Sequence, residues 1–272
     1  MKQHIKEIRD QLQNELVKSG LPFMQPAAMF WYSEVQKERQ QIALLRKTFR
    51  EEPSPLRIAP LIDHTLLKPD ATVLEIQKVC QEAIEHHFAA VCVNPVWISK
   101  VYEQLHQTPV KVCTVIGFPL GATTTETKVA EAALAIAQGA EELDMVIHLG
   151  ALKAGDWQSV YQDIYRVVTT ATPFNVLVKV ILETALLTEQ EIISASIIAA
   201  LAGAAYVKTS TGFASGGATV EAVRLMAQSV EAWGLGVKAS GGIRNFETAW
   251  QMITAGATRI GASASKAIIQ VN

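Results

Sequence analysis

Hydrophobic and polar positions divide the chain into two regimes. In residues 1–57 long polar side chains dominate and glycine is almost absent. Ile5, Ile8, Leu12 and Leu16 recur at steps of three and four, the period of an amphipathic helix, and Gly20 and Pro22 end it. A second helical stretch, YSEVQKERQQIALLRKTF, follows the segment MQPAAMFW, and REEPSPLR then reads as a linker. From residue 58 short β-rich runs alternate with longer helical patterns. Strands are predicted near Ala59, Ala89, Val110, Glu142, Asn175, Tyr206, Gly236 and Arg259. Helical segments such as TTTETKVAEAALAIAQG and TVEAVRLMAQSVEAWG lie between them. Gly139, Gly203, Gly234 and Gly256 stand where left-handed C-terminal caps are expected.

Strands that alternate with helices imply parallel pairing through right-handed crossovers. Eight such units match a (β/α)₈ barrel. A doubly wound open sheet, the alternative, usually carries a glycine-rich turn after its first strand. The first strand here leads into DHTLLKPDAT, which has no glycine. The expected fold is therefore α/β, a (β/α)₈ TIM barrel over residues 58–272, with an N-terminal helical extension and linker over residues 1–57.

Composition narrows the class. A chain of 272 residues, 49% hydrophobic and 18% charged, supports a substantial core. The formal net charge is −2 with both signs interspersed, which points to neither a nucleic-acid nor a membrane-surface partner. The start MKQHIKEIRDQLQ is too polar for a signal peptide, and the longest apolar runs stay short of a membrane span. A cytoplasmic protein acting on a small molecule, with a homo-oligomer possible, is the expectation. Cys80, Cys92 and Cys113 match no zinc or redox spacing and read as buried small hydrophobes in a reducing compartment. The histidines show no ligand spacing, and His86 and His87 point apart on a predicted helix. No metal and no cofactor are expected.

Three lysines change the picture. Lys179, Lys208 and Lys238 sit inside apolar, strand-like runs at nearly equal intervals, although lysine is among the residues least often buried. They fall on the fifth, sixth and seventh predicted strands, and Asp144 falls on the fourth. If all four face inward, three amines and a carboxylate share one cavity. Burial and a neighbouring cation both disfavour the ammonium form of a lysine. Such an amine can attack a carbonyl carbon and form a Schiff base, and a nearby carboxylate can shuttle protons. Lys179 has a second reading, as a field-shaping partner of Asp144 or Asp63. A second constellation is glycine-rich: TSTGFASGG, SGGIR and IGASAS follow the last three strands. Backbone amides in such loops hold phosphate at the mouth of a barrel.

These residues resemble the deoxyribose-phosphate aldolase family. The likeness runs from Leu61 to Ile269 through IDHTLLKPDAT, VCVNP, GFPLGATTTETK, ELDMVI, KVILET, VKTSTGF, VKASGGIR and RIGAS. The resemblance implies a metal-independent class I aldolase of the barrel fold. It would join acetaldehyde reversibly to D-glyceraldehyde 3-phosphate, giving 2-deoxy-D-ribose 5-phosphate. It implies Lys208 as the Schiff-base lysine, Lys238 as the second lysine that tunes it, and Asp144 as the proton relay. Asp63, Thr65, Lys179, Thr209 and Thr211 join the substrate-binding set. Gly212, Gly241, Gly242, Gly261 and Ser263 match the phosphate-binding mouth. Cys92 matches a cysteine associated with aldehyde sensitivity. Two positions depart from the pattern: His148 stands where many members have asparagine, and Phe213 where some have lysine. The alternatives are an isomerase or epimerase without a covalent step, and a non-catalytic phosphosugar-binding protein.

Overall fold

The computed structural model describes residues 1–24, 29–48 and 55–270. Part of the linker and part of MQPAAMFW lie outside the described residues. Eight parallel strands close into a barrel in sequence order. They are β1 (Ile62–Leu66), β2 (Ala90–Val93), β3 (Lys111–Ile116), β4 (Glu142–Val146), β5 (Leu177–Ile181), β6 (Tyr206–Lys208), β7 (Gly236–Ser240) and β8 (Arg259–Ala262). β1 pairs with both β2 and β8, which completes the ring. All eight predicted strands are present.

Helices α1 (Lys2–Lys18) and α2 (Tyr32–Thr48) form the N-terminal extension. The outer layer then runs α3 (Val73–His86), α4 (Ile98–Leu105), α5 (Thr125–Ala137), α6 (Leu149–Lys153) and α7 (Trp157–Ala171). It continues with α8 (Glu189–Leu201), α9 (Val220–Val230), α10 (Phe246–Ala255) and α11 (Ser265–Ile269). Local sequence starts these helices where they start. Thr72 with Glu75, and Thr188 with Glu191, form reciprocal capping boxes at α3 and α8. Each cap of this kind is worth about 1 kcal/mol. One local reading needs correction: α3 stops at His86, and His87 is left-handed (φ 55°) rather than helical, its N–H bonded to the Ile84 carbonyl.

The apolar stripe of α1 is buried. Ile5, Ile8, Leu12 and Leu16 pack with the main core, and α1 lies against α7, α8 and α9. Trp31 is buried too, and its indole N–H donates to the Gly203 carbonyl at 3.3 Å. The Tyr161 hydroxyl donates to the Pro22 carbonyl, and Gln36 donates to the Gly234 carbonyl at 2.9 Å. The extension is thus seated on the outer helices, with Met1 beside Thr184, Gly216 and Gly217 of the loops after β5 and β6. Fully burying one such aliphatic side chain contributes about 1.5–3 kcal/mol. A chain beginning at Ser54 is expected to keep its turnover per active site but to melt at lower temperature. Thermal unfolding with an activity assay checks this, and a well-folded but inactive shortened protein would contradict it. Among the described residues no helix is long and apolar enough to cross a membrane.

Candidate active site

Alternation along the strands decides which side chains enter the barrel. Asp63 on β1, Asp144 on β4, Lys179 on β5, Lys208 on β6 and Lys238 on β7 are all buried. Lys208 is the last residue of β6, at the C-terminal end of its strand, and pairs in register with Lys238. Asp144 pairs in register with Lys179. The four predicted residues do converge. Asp144 Oδ2 accepts from Lys208 Nζ at 2.8 Å and from Lys238 Nζ at 2.7 Å, while Oδ1 accepts from Lys179 Nζ at 2.9 Å.

Two charged residues that pattern reading missed complete the cluster. Glu142 lies two positions before Asp144, so the strand alternation turns both inward. Its Oε2 accepts from Lys179 at 2.5 Å. Arg259 opens β8 and donates to Asp63 at 2.8 Å, and it lies 3.4 Å from Glu142. Lys238 also bonds Asp63. Four basic and three acidic side chains therefore share the interior. Lys179 is bonded or ion-paired to three carboxylates, and Lys238 and Arg259 to two each. Among the described residues Lys208 has Asp144 alone. At 3% it also retains some exposure, while Lys179 and Lys238 have none. Lys208 is the lysine least committed to the protein and nearest to an incoming ligand.

The field is shaped by this crowding. Burial by itself would push the Asp144 carboxyl up, but Lys179, Lys208 and Lys238 outweigh it and hold the group well below the usual carboxylate range. Asp63 is lowered in the same way, with Lys238, Lys179 and Arg259 overcoming burial. Burial would strip protons from Lys179 and Lys238. Asp144 leads the carboxylates that reverse this and hold both ammonium groups well above the ordinary lysine range. The depressed carboxylates add stability that is complete above about pH 4 and lost as pH falls through their folded values. The raised lysines add stability that is complete below about pH 10 and lost as pH rises through theirs. Asp63, Asp144, Lys179 and Lys238 are therefore charged together and support one another across neutral pH.

Gly261, expected at the phosphate-binding mouth, is instead buried within β8, in register with Asp63 and Ser240, and close packing explains it. A Cβ on Gly261 would lie 2.9 Å from Lys238 Cε, so glycine on β8 leaves room for that lysine's stem. Gly212, Gly242 and Ser263 are exposed at the strand ends, and a Cβ on Gly212 or Gly242 would meet nothing within 4 Å. Gly241 is half-buried, and its carbonyl accepts from Ala218 N–H at 3.1 Å. Thr65 is half-buried beside Asp63 and donates to that residue's carbonyl at 2.9 Å.

Lys179 and Thr209 lie differently from a substrate-facing pair. Lys179 is enclosed by carboxylates, so the structure realises its field-shaping reading, with Asp144 and, at 3.5 Å, Asp63 as partners. Thr209 is buried in the β6–β7 seam, where its hydroxyl donates to the Ser240 carbonyl at 2.9 Å and accepts from Ser240 N–H at 3.0 Å. Thr211, in the loop after β6, is buried. Phe213 is exposed, its ring edge-on to Phe118 with centroids 5.2 Å apart. His148 caps α6 by accepting from Ala151 N–H at 3.1 Å. Cys80 is buried, which pushes its thiol up to about 12. Cys92 and Cys113 are buried register partners on β2 and β3. A hydrogen bond from Cys113 lowers the Cys92 thiol, whereas burial raises that of Cys113.

Two donor sets gather closely enough to hold an ion: Cys92, Cys113 and Asp144, and Asp63, Cys113 and Glu142. In both sets the carboxylates already accept from lysine or arginine, so an ion there would compete with fixed cations. What the arrangement can do without one is covalent amine chemistry. A lightly tethered lysine, a protonated lysine beside it and an ionised carboxylate touching both provide a nucleophile, a cationic neighbour and a proton carrier.

Known proteins share this architecture. Residues 57–271 match the family described as DeoC/LacD family aldolase. The chain is 54% identical over 222 residues to the deoxyribose-phosphate aldolase of Caldanaerobacter subterraneus subsp. tengcongensis, which covers 81% of this chain and 96% of the relative. It is 58% identical over 208 residues to that of Brevibacillus brevis, covering 76% of this chain and 93% of the relative. The solved tetrameric deoxyribose phosphate aldolase of Aeropyrum pernix superposes with a TM-score of 0.76 at 35% identity, over 85% of this chain and 96% of that one. With the barrel, the lysine pair and the match over residues 57–271 taken together, this chain belongs to the DeoC/LacD family of aldolases.

Proposed function

We propose that the protein is a class I aldolase that reversibly cleaves 2-deoxy-D-ribose 5-phosphate into D-glyceraldehyde 3-phosphate and acetaldehyde. The observation that carries the reading is the shared carboxylate: Asp144 touches Lys208 at 2.8 Å and Lys238 at 2.7 Å inside the barrel. Lys208 Nζ, as the free amine, attacks C1 of the open-chain sugar, and loss of water gives an iminium. Removal of the C3 hydroxyl proton then lets the C2–C3 bond break. Its electrons flow to the iminium and leave an enamine, while C3 becomes the aldehyde carbon of glyceraldehyde 3-phosphate. Protonation at C2 and hydrolysis release acetaldehyde and regenerate the amine.

The roles follow from placement. Lys238 supplies a permanent cation next to the reacting amine. Asp144, held against Lys208 and Lys238, is placed to carry protons to and from the reacting centre. Thr65, half-buried on β1, is our candidate contact for a substrate hydroxyl, and Asp63 beside it holds Lys238 and Arg259. Gly212, Gly241, Gly242 and Ser263 line the end that receives the phosphate, and Thr211 supports that end. Lys179 and Arg259 hold the carboxylates in place from below. The three free, buried cysteines fit a reducing, cytoplasmic setting. The Aeropyrum relative is tetrameric, and a homo-oligomer is our reading for this chain as well.

The test is a coupled assay on 2-deoxy-D-ribose 5-phosphate after dialysis against a strong chelator. Stoichiometric glyceraldehyde 3-phosphate and acetaldehyde, formed without added metal, are expected. Absence of cleavage, or turnover that returns only with zinc or magnesium, would contradict the proposal.

A further inference from the structure

The loop after β5 carries an ionisable group that the chemistry above does not use. Glu183 is 3% exposed, and its backbone is left-handed, with φ 58° and ψ 61°. A residue with a side chain adopts this conformation at a cost, and such positions persist where the surroundings over-determine them. Here the surroundings are the neighbouring ladder. Leu182 N–H donates to the Lys208 carbonyl and Thr184 N–H to the Thr209 carbonyl, both at 2.9 Å. Between these two rungs the Glu183 side chain reaches the loop after β6.

There it does one thing. Oε2 accepts from Thr211 N–H at 3.2 Å and from the Thr211 hydroxyl. The Thr211 hydroxyl oxygen in turn accepts from Phe213 N–H at 3.1 Å. The two residues that flank Gly212 are thereby tied to one buried carboxylate. Gly212 itself is exposed, with φ +87°, a conformation that side-chain-bearing residues rarely adopt. Among the described residues the other oxygen, Oε1, is buried without a hydrogen-bond partner, and so is the buried Ser210 hydroxyl. A buried carboxylate with half its acceptors idle is an expensive way to hold a surface loop. Its expense is accounted for if the loop geometry it enforces matters to binding.

We propose that Glu183 is a positioning residue for the phosphate end of the substrate: acting through Thr211, it sets the turn at Gly212 without touching the ligand. The inference rests on the reading of Gly212 as part of the phosphate-binding mouth. Because Glu183 meets the turn and not the lysines, its loss separates binding of the phosphate from the chemistry at C1.

The experiment compares 2-deoxyribose 5-phosphate with unphosphorylated 2-deoxyribose in the full-length enzyme. In Glu183→Ala the KM for the phosphorylated sugar is expected to rise about tenfold or more, the scale of a lost charge-assisted hydrogen bond. Turnover and kcat/KM for the unphosphorylated sugar should stay within about threefold of the parent. Glu183→Gln keeps an acceptor oxygen and should restore most of the lost affinity. Sites are counted by borohydride trapping with acetaldehyde, so a merely structural loss shows as fewer sites and an equal fall for both sugars. That equal fall, or no change at all, overturns the inference. If Glu183→Ala does not fold, Glu183→Asp, which draws the carboxyl back from Thr211, carries the same test: a KM rise confined to the phosphorylated sugar supports the inference, and its absence overturns it. A parent enzyme that shows no preference for the phosphate would overturn the phosphate reading and the inference with it. A preference kept intact in Glu183→Ala overturns the inference alone.

Discussion

Lys208→Met is expected to lose aldol cleavage by about 10⁴-fold or more, the scale on which removal of a covalent nucleophile acts. No other amine is placed to substitute. Lys238 is bonded to Asp63 and Asp144, and Lys179 is enclosed by three carboxylates. The fold should survive the change. Methionine keeps an unbranched stem of similar length, and Asp144 retains Lys179 and Lys238, so no carboxylate is left unpaired in the interior. Kinetics of cleavage together with a thermal melt checks both parts. A folded Lys208→Met enzyme within tenfold of the parent would show that the reaction does not pass through this amine.

The second large effect is expected at Lys238. Lys238→Leu removes the cation that shares Asp144 Oδ2 with Lys208. A neighbouring like charge disfavours the ammonium form of an amine, so its removal leaves a smaller share of the reactive free amine. For a close, partly buried pair the effect is about 1–3 pH units, and each unit reduces the free amine about tenfold well below the midpoint. Turnover near neutral pH should fall about 10–1000-fold, and part of it should return as pH rises. Asp63 keeps Lys179 and Arg259, and Asp144 keeps Lys179 and Lys208, so Lys238→Leu should still fold, with a lowered melting temperature. Lys238→Arg keeps the charge and is the control, with a melt and a pH profile closer to those of the parent. Parent-like activity of Lys238→Leu at neutral pH would reduce Lys238 to a structural role.

The fold was legible because two periodicities alternate cleanly along residues 58–272. The same period of two placed Asp144, Lys179, Lys208 and Lys238 inside the barrel. It also marks Glu142, two residues before Asp144 on β4. Depth was not legible. Lys179 and Lys208 look alike in their strands, yet β5 pairs Lys179 with Tyr206 and Lys208 with Ile181, so Lys179 lies further from the mouth. Pairing of that kind is a property of the closed sheet and not of either segment. Thr209 enters the substrate-binding set through the family resemblance, but its hydroxyl turns into the seam with β7. Cys113 read as a small hydrophobe from its apolar neighbours in sequence. Its neighbours in space are Asp144 at 3.3 Å and Lys179 at 3.4 Å, from two other strands. Glu183 gave no local sign, since left-handed backbone is signalled by glycine or asparagine and here a tertiary hydrogen bond holds it.

The central claim is that the amine of Lys208, and no other, forms the Schiff base. Acetaldehyde and borohydride added to the intact enzyme, followed by peptide mapping by mass spectrometry, test it most directly. The account predicts one ethyl adduct per chain, on the peptide carrying Lys208, with loss of activity in proportion to labelling. An adduct on Lys179 or Lys238, or complete activity after exhaustive treatment, would contradict it.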